Sequence, residues 1–94
     1  MDIHLDETDS GGRYRTVVDG HGAEMTFSKA GATMIIIDHT DVPDALRGQG
    51  VGVKLVERAV EDMRKAGKKI MPLCPFAAAQ FRKHQEWHDV LQGR

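Results

Sequence analysis

Apolar and polar residues alternate through Arg13–Val18, where Tyr14, Thr16 and Val18 share one face, and again through Ala23–Ala30, where Met25 and Phe27 alternate with Glu24, Thr26 and Ser28. A period of two predicts half-buried strands, and Asp19-Gly20-His21-Gly22 between them reads as the turn of a β-hairpin. After Gly31 the pattern changes to an unbroken aliphatic run, Met34 to Ile37, inside a segment from Thr33 to Val42. Such a run suits a strand covered on both faces, so this segment is expected to be the middle of the sheet. Pro43, without an N–H for the ladder, ends it.

The period then becomes helical. Leu55, Val56, Ala59, Val60 and Met63 fall on one face, Lys54, Glu57, Arg58, Glu61, Asp62 and Lys65 on the other, and Gly67 supplies a stop. Ile70–Cys74 reads as a short strand returned parallel to the central one by the crossover helix. Pro75 can open a second helix running through Phe76 and Phe81 as far as Trp87. Residues 1–11 are polar and acidic and end in Ser10-Gly11, which predicts a flexible leader before a single domain over 12–94.

A chain of 94 residues has room for one core. Its net charge is −1 with the basic residues dispersed, so neither nucleic acid nor an anionic membrane is expected as a partner. No apolar run approaches the ~20 residues of a membrane-spanning helix. The single Cys74 cannot close an internal disulfide, and the first residues lack the basic and apolar regions of a secretory signal, which suggests a cytoplasmic protein. A monomer is expected.

Between the central strand and the helix stands Arg47-Gly48-Gln49-Gly50-Val51-Gly52. Glycines at alternate positions let backbone amides approach a ligand, and the helix that follows turns its unpaired N–H groups to the same spot, which outlines a phosphate site. It is neither a dinucleotide fingerprint nor a P-loop. Counted from Gly48, G-x-G-x-x-G places Val53 at the last glycine, with Lys68-Lys69 where an acidic ribose ligand belongs. Lys54 is flanked by Val53 and Leu55 rather than by Gly and Ser/Thr.

The Arg47-x-x-Gly50-x-Gly52 spacing resembles the acyl-CoA pyrophosphate loop of the GNAT acetyltransferase superfamily. With His39-Thr40, Val42-Pro43, Leu55, Ala59, Ile70, Pro72 and Cys74-Pro75, the similarity extends over residues 12–91 and points to the short, YjdJ-type branch. The resemblance implies an α+β fold with a mixed, mostly antiparallel sheet, a β-α-β crossover and helices packed on the sheet. The sheet would be splayed between the central strand and the strand after the helix. It also implies acetyl-CoA as co-substrate, held by Val42, Arg47, Gly48, Gln49, Gly50, Val51 and Gly52, and an amine of a small molecule or protein as acceptor, with an open acceptor groove. A CoA-binding module without catalysis is the alternative reading. A third is an interaction domain that docks through the Trp87 region.

Acetyl transfer needs a proton acceptor for the amine and a proton for the departing thiolate. His39 and Cys74 lie near the ends of strands expected to pair in parallel, which can bring both to the mouth of the splay. An imidazole titrating near pH ~6.5 could serve as base. Cys74 could carry the acetyl group or protonate the CoA thiolate; a buried structural thiol is the plain alternative. Larger relatives commonly use a tyrosine acid, but Tyr14 is the only tyrosine and lies on the first strand of the hairpin. His84 and His88, spaced i, i+4, could hold zinc on a helix, but no third ligand is evident, and no metal is expected.

Overall fold

A computed structural model of the chain describes residues 1–93. Five strands, β1 (His4–Glu7), β2 (Gly11–Val18), β3 (His21–Ala30), β4 (Met34–Asp41) and β5 (Lys69–Pro72), form one sheet in chain order. The first three junctions are antiparallel and β4 with β5 is parallel, which requires the crossover that helix α1 (Val51–Ala66) provides. Helix α2 (Pro75–Lys83) and a 3-10 segment (Gln85–Val90) complete the fold. This is the α+β architecture with a β-α-β crossover that the resemblance implies.

The hairpin turn is tighter than Asp19-Gly20-His21-Gly22. Val18 pairs with His21, leaving only Asp19 (φ 51°) and Gly20 (φ 79°) in the loop. Two positive φ angles suit the right-handed twist of the flanking strands, and Asp-Gly is the dipeptide that tolerates them. His21 and Gly22 consequently belong to β3. With this ten-residue strand at its centre, the sheet has β3 in the middle and β4 one place from the edge, a correction to the expectation for the aliphatic run. Ile35 and Ile37 are buried, and Ile36 is only half covered.

The leader expected over residues 1–11 is also different. His4–Glu7 add an edge strand along β2, with Leu5 opposite Tyr14 and Asp6 opposite Arg13. Long-range contacts hold it there: Thr16 Oγ1 donates to Asp2 O at 2.6 Å, Arg58 Nη1 donates to Ile3 O at 3.1 Å, and Ile3 and Leu5 pack on the core. A polar stretch with too little apolar surface to nucleate structure by itself can still complete a ladder already built by its neighbour.

The core lies between the sheet and α1. Leu55, Val56, Ala59 and Val60 are fully buried against Tyr14, Met25, Phe27, Ile37 and Ile70. Helix α2 stops at Lys83, and the chain turns at His84 so that Trp87 stacks on His84 and meets Phe81 edge-on. Trp87 is buried, so it is not the docking surface of an interaction domain. Beyond it Leu91 bridges Ile70, and Gln92 N–H donates to Ile70 O, shielding part of the β5 edge.

Candidate functional site

Pro43 releases the chain from β4 into a 3-10 turn over Asp44–Leu46, closed by Leu46 N–H to Pro43 O and Arg47 N–H to Asp44 O. Leu46 is buried and anchors the loop to the core. The loop then needs left-handed backbone at Gly48 (φ 82°) and Gly50 (φ 72°), where a Cβ would meet no atom within 4 Å. These two glycines are therefore required for conformation rather than for space. Gly52 is the reverse case: its backbone is helical, and a Cβ would lie 2.7 Å from Cζ of Phe76, so it is small to let that ring cross the helix.

This path leaves amides free. Gln49 N–H donates to Leu46 O and Lys54 N–H to Gly50 O, whereas the N–H groups of Gly48, Gly50, Val51, Gly52 and Val53 find no acceptor among the described residues. The N-cap Gly50 offers no side-chain cap, and α1 has no acidic residue in its first turn. The unpaired donors and the positive end of the helix dipole face a hollow of about 420 Å³ lined by Thr40, Val42, Leu46, Arg47, Gly48, Gly50, Val51, Gly52, Val53 and Phe76. Six of the seven residues expected to hold a donor thus line one hollow; Gln49 does not, its amide being spent in the turn. Arg47 is exposed and hydrogen-bonds Asp44 Oδ1 at 2.7 Å. A guanidinium in such an exposed pair can exchange its carboxylate for a phosphate at little cost.

Beyond this hollow the sheet parts. Strand β5 pairs with β4 only as far as Pro72 opposite Ile37, and both Leu73 and Cys74 N–H then donate to Ile37 O at 3.1 Å as the chain swings into α2. Residues 38–41 of β4 have no β5 partner, which is the splay expected between these strands.

A bulge in β4 decides what faces the splay. Phe27 pairs with Ile37 but Thr26 with His39, so Asp38 is the extra residue. From there the alternation of faces is inverted: Thr40, opposite the buried Met25, turns inward, and His39, opposite Thr26, turns to the bare face of the sheet. Cys74 is 6% exposed, and its Sγ lies 3.3 Å from Thr40 Oγ1. His39 is exposed and makes no side-chain hydrogen bond among the described residues. The expected His39–Cys74 pair is therefore not formed; Thr40 stands where the histidine was anticipated. Thr40, Leu46, Val53 and Phe76 line the hollow without having been expected there from the sequence. The pattern G-x-G-x-G ahead of a helix already asks which side chain needs the space at Gly52, whereas no sequence signal marks the bulge.

Tyr14 lies elsewhere. It is buried under α1 and donates to Asp62 Oδ2 at 2.8 Å, with Arg58 bonded to the same carboxylate. Burial, reinforced by the hydrogen bond and charge of Asp62, pushes its phenol well above the usual range. His84 caps α2 and pairs with Glu86, while His88 bonds Phe81 O from the 3-10 segment, so the two do not share a helix face. No group of three His, Cys, Asp or Glu side chains suited to a metal occurs among the described residues.

The sequence matches the family model of GCN5-related N-acetyltransferases over residues 13–90. The chain belongs to this family. Among solved structures, a GCN5-like protein of Staphylococcus aureus, itself a proposed N-acetyltransferase studied in solution by NMR, is similar in fold. It superposes with a TM-score of 0.74 at 33% identity, covering 97% of this chain and 89% of that one. No curated protein matches the sequence. Membership in the GCN5-related N-acetyltransferase family agrees with the splayed mixed sheet and with a glycine loop at the start of the crossover helix.

Proposed function

We propose that the protein is an acetyl-CoA-dependent N-acetyltransferase that moves an acetyl group to an amine of a small molecule or of a protein. The observation that carries this reading is the set of five unpaired amides, Gly48, Gly50, Val51, Gly52 and Val53, around one hollow at the positive end of α1. Such a cradle suits a pyrophosphate, with Arg47 leaving Asp44 to join it. Val42 and Thr40 continue the hollow along the unpaired end of β4 towards Cys74, the course a pantetheine arm would follow.

The two faces of β4 divide the chemistry. Thr40 and Cys74 stand on the face of the helices, on the donor side. His39 stands on the bare face, where an acceptor amine can approach without obstruction. The amine nitrogen forms the new C–N bond as the thioester C–S bond breaks; His39 is positioned to take the proton the nitrogen gives up, directly or through water, and the thiolate needs a proton from the donor side. Binding without turnover is the second reading, favoured by one fact: neither His39 nor Cys74 lines the hollow itself.

Titration with acetyl-CoA, followed through backbone amide NMR signals, tests the proposal. Saturable shifts centred on Gly48, Gly50 and Gly52 are expected; their absence would eliminate acetyl-CoA as the ligand. Release of CoA in the presence of a panel of primary amines then separates an enzyme from a binding module.

A further inference from the structure

Cys74 presents a contradiction if it acts as a nucleophile. Its thiol is almost wholly buried and is missing from the lining of the donor hollow, yet its one side-chain partner, the Thr40 hydroxyl, is part of that lining. A nucleophile must reach the carbonyl carbon itself, about 3–3.5 Å away in a reactive complex. A proton donor need not, provided a group that both accepts and donates stands between. A threonine hydroxyl is such a group, with one O–H and two lone pairs.

We infer that Thr40 is the positioning residue through which Cys74 exchanges a proton with the donor hollow, so that Cys74 serves as a relayed acid and not as an acetyl carrier. The bulge at Asp38 is what makes this possible, because without it Thr40 would face away from Met25 and Cys74. The step balances. As the thioester C–S bond breaks and the amide C–N bond forms, Thr40 gives its hydroxyl proton to the departing sulfur and receives the proton of Cys74 Sγ–H. The Cys74 thiolate left behind accepts the Thr40 hydroxyl as donor and is reprotonated through it from water once CoA has left the hollow, while the proton released from the acceptor amine leaves by way of His39. This last step rests on the acetyl-transfer reading; the Thr40–Cys74 coupling does not.

Two kinds of measurement separate them. Because Cys74 is the only cysteine, alkylation by iodoacetamide and the infrared S–H band both report on it alone. Thr40→Val keeps the shape and removes the hydroxyl that stabilises the thiolate, so alkylation at pH 8 should slow about tenfold and the S–H band should move to higher frequency, while Thr40→Ser stays within about twofold of the parent. Should Thr40→Val not fold, the S–H band of Thr40→Ala reads the same contact, since it does not depend on access. In turnover, Thr40→Val should lower kcat about tenfold with KM for acetyl-CoA unchanged. Alkylation of Thr40→Val at the parent rate, or an unshifted S–H band, overturns the coupling. An acetylated Cys74 in the intact mass overturns the relay, since the carbonyl would then have been reached directly. If the parent protein releases no CoA with any amine, acetyl transfer fails while alkylation still decides the coupling.

Discussion

Helix α1 has a hollow at each end, of nearly equal size, and the two ends differ in what they leave unpaired. The hollow at its C-terminal end, about 410 Å³, is bordered by Tyr14, Asp62, Glu7 and Lys29 over an apolar floor that includes Phe27 and Ile35. There Tyr14 is paired with Asp62, Lys29 with Glu7, and Gly67 N–H with the carbonyls of Arg64 and Met63. Arg64 also forks onto Asp89 at 2.6 and 2.7 Å. At the N-terminal end nothing closes the helix: no cap side chain, no acid in the first turn, and five amides without acceptors. Volume does not distinguish the ends. Unsatisfied hydrogen-bonding capacity does, because a helix terminus without a cap forgoes stabilisation that a ligand can restore.

Paired glycine substitutions break the comparison most sharply. Gly50 (φ 72°) and Gly67 (φ 69°) flank the same helix in the same left-handed backbone, and at neither would a Cβ meet an atom within 4 Å. Gly50→Ala and Gly67→Ala should each cost about 1 kcal/mol of stability, read by chemical denaturation. Only Gly50→Ala should weaken acetyl-CoA binding, by tenfold or more in a calorimetric titration. Equal loss of affinity in both variants would mean that the two ends are not distinct.

A smaller effect sharpens the closed end. Tyr14→Phe should lower stability by about 1 kcal/mol and leave acetyl-CoA affinity unchanged. As the only tyrosine, Tyr14 gives a clean absorbance signal near 295 nm. Its phenol is raised in the folded state, so the stability it contributes is present below the free value near pH ~10 and is lost as the pH rises towards the higher folded value. Phenolate absorbance should consequently appear together with unfolding. Its appearance in the folded protein at pH ~10 would show that the pair with Asp62 is open.

The least effect belongs to Arg64→Ala, since the Arg64–Asp89 fork is exposed. The Arg64 hydrogen bond and charge hold Asp89 below the usual carboxylate range, so the stabilisation is present above about pH 3.9 and is lost as the pH falls through the lower folded value. The parent and Arg64→Ala should differ slightly in thermal midpoint at pH 7 and converge at pH 2. A gap that persists at pH 2 would point to lost packing of the arginine stem rather than to charge.

Local rules were enough for much of this molecule. The period-two and period-3.6 patterns, Pro43, Gly67 and the loop from Arg47 to Gly52 act through the backbone preferences of a few neighbouring residues, so the hairpin, crossover helix and glycine loop could be read along the chain. Tertiary structure decided the rest, in each case because a distant partner outweighed a local preference. The polar residues His4–Glu7 became a strand because β2 had a free edge and because Thr16 and Arg58 offered partners to the carbonyls of Asp2 and Ile3. Trp87 was buried because the chain turned at His84 to bring it onto Phe81. The most consequential decision was the smallest: one extra residue at Asp38, set by the pairing of β3 with β4, reversed the faces of the two residues after it. A strand has period two, so a one-residue shift exchanges every inside position for an outside one, and nothing in His39-Thr40 itself announces it. That exchange put Thr40 rather than His39 beside Cys74.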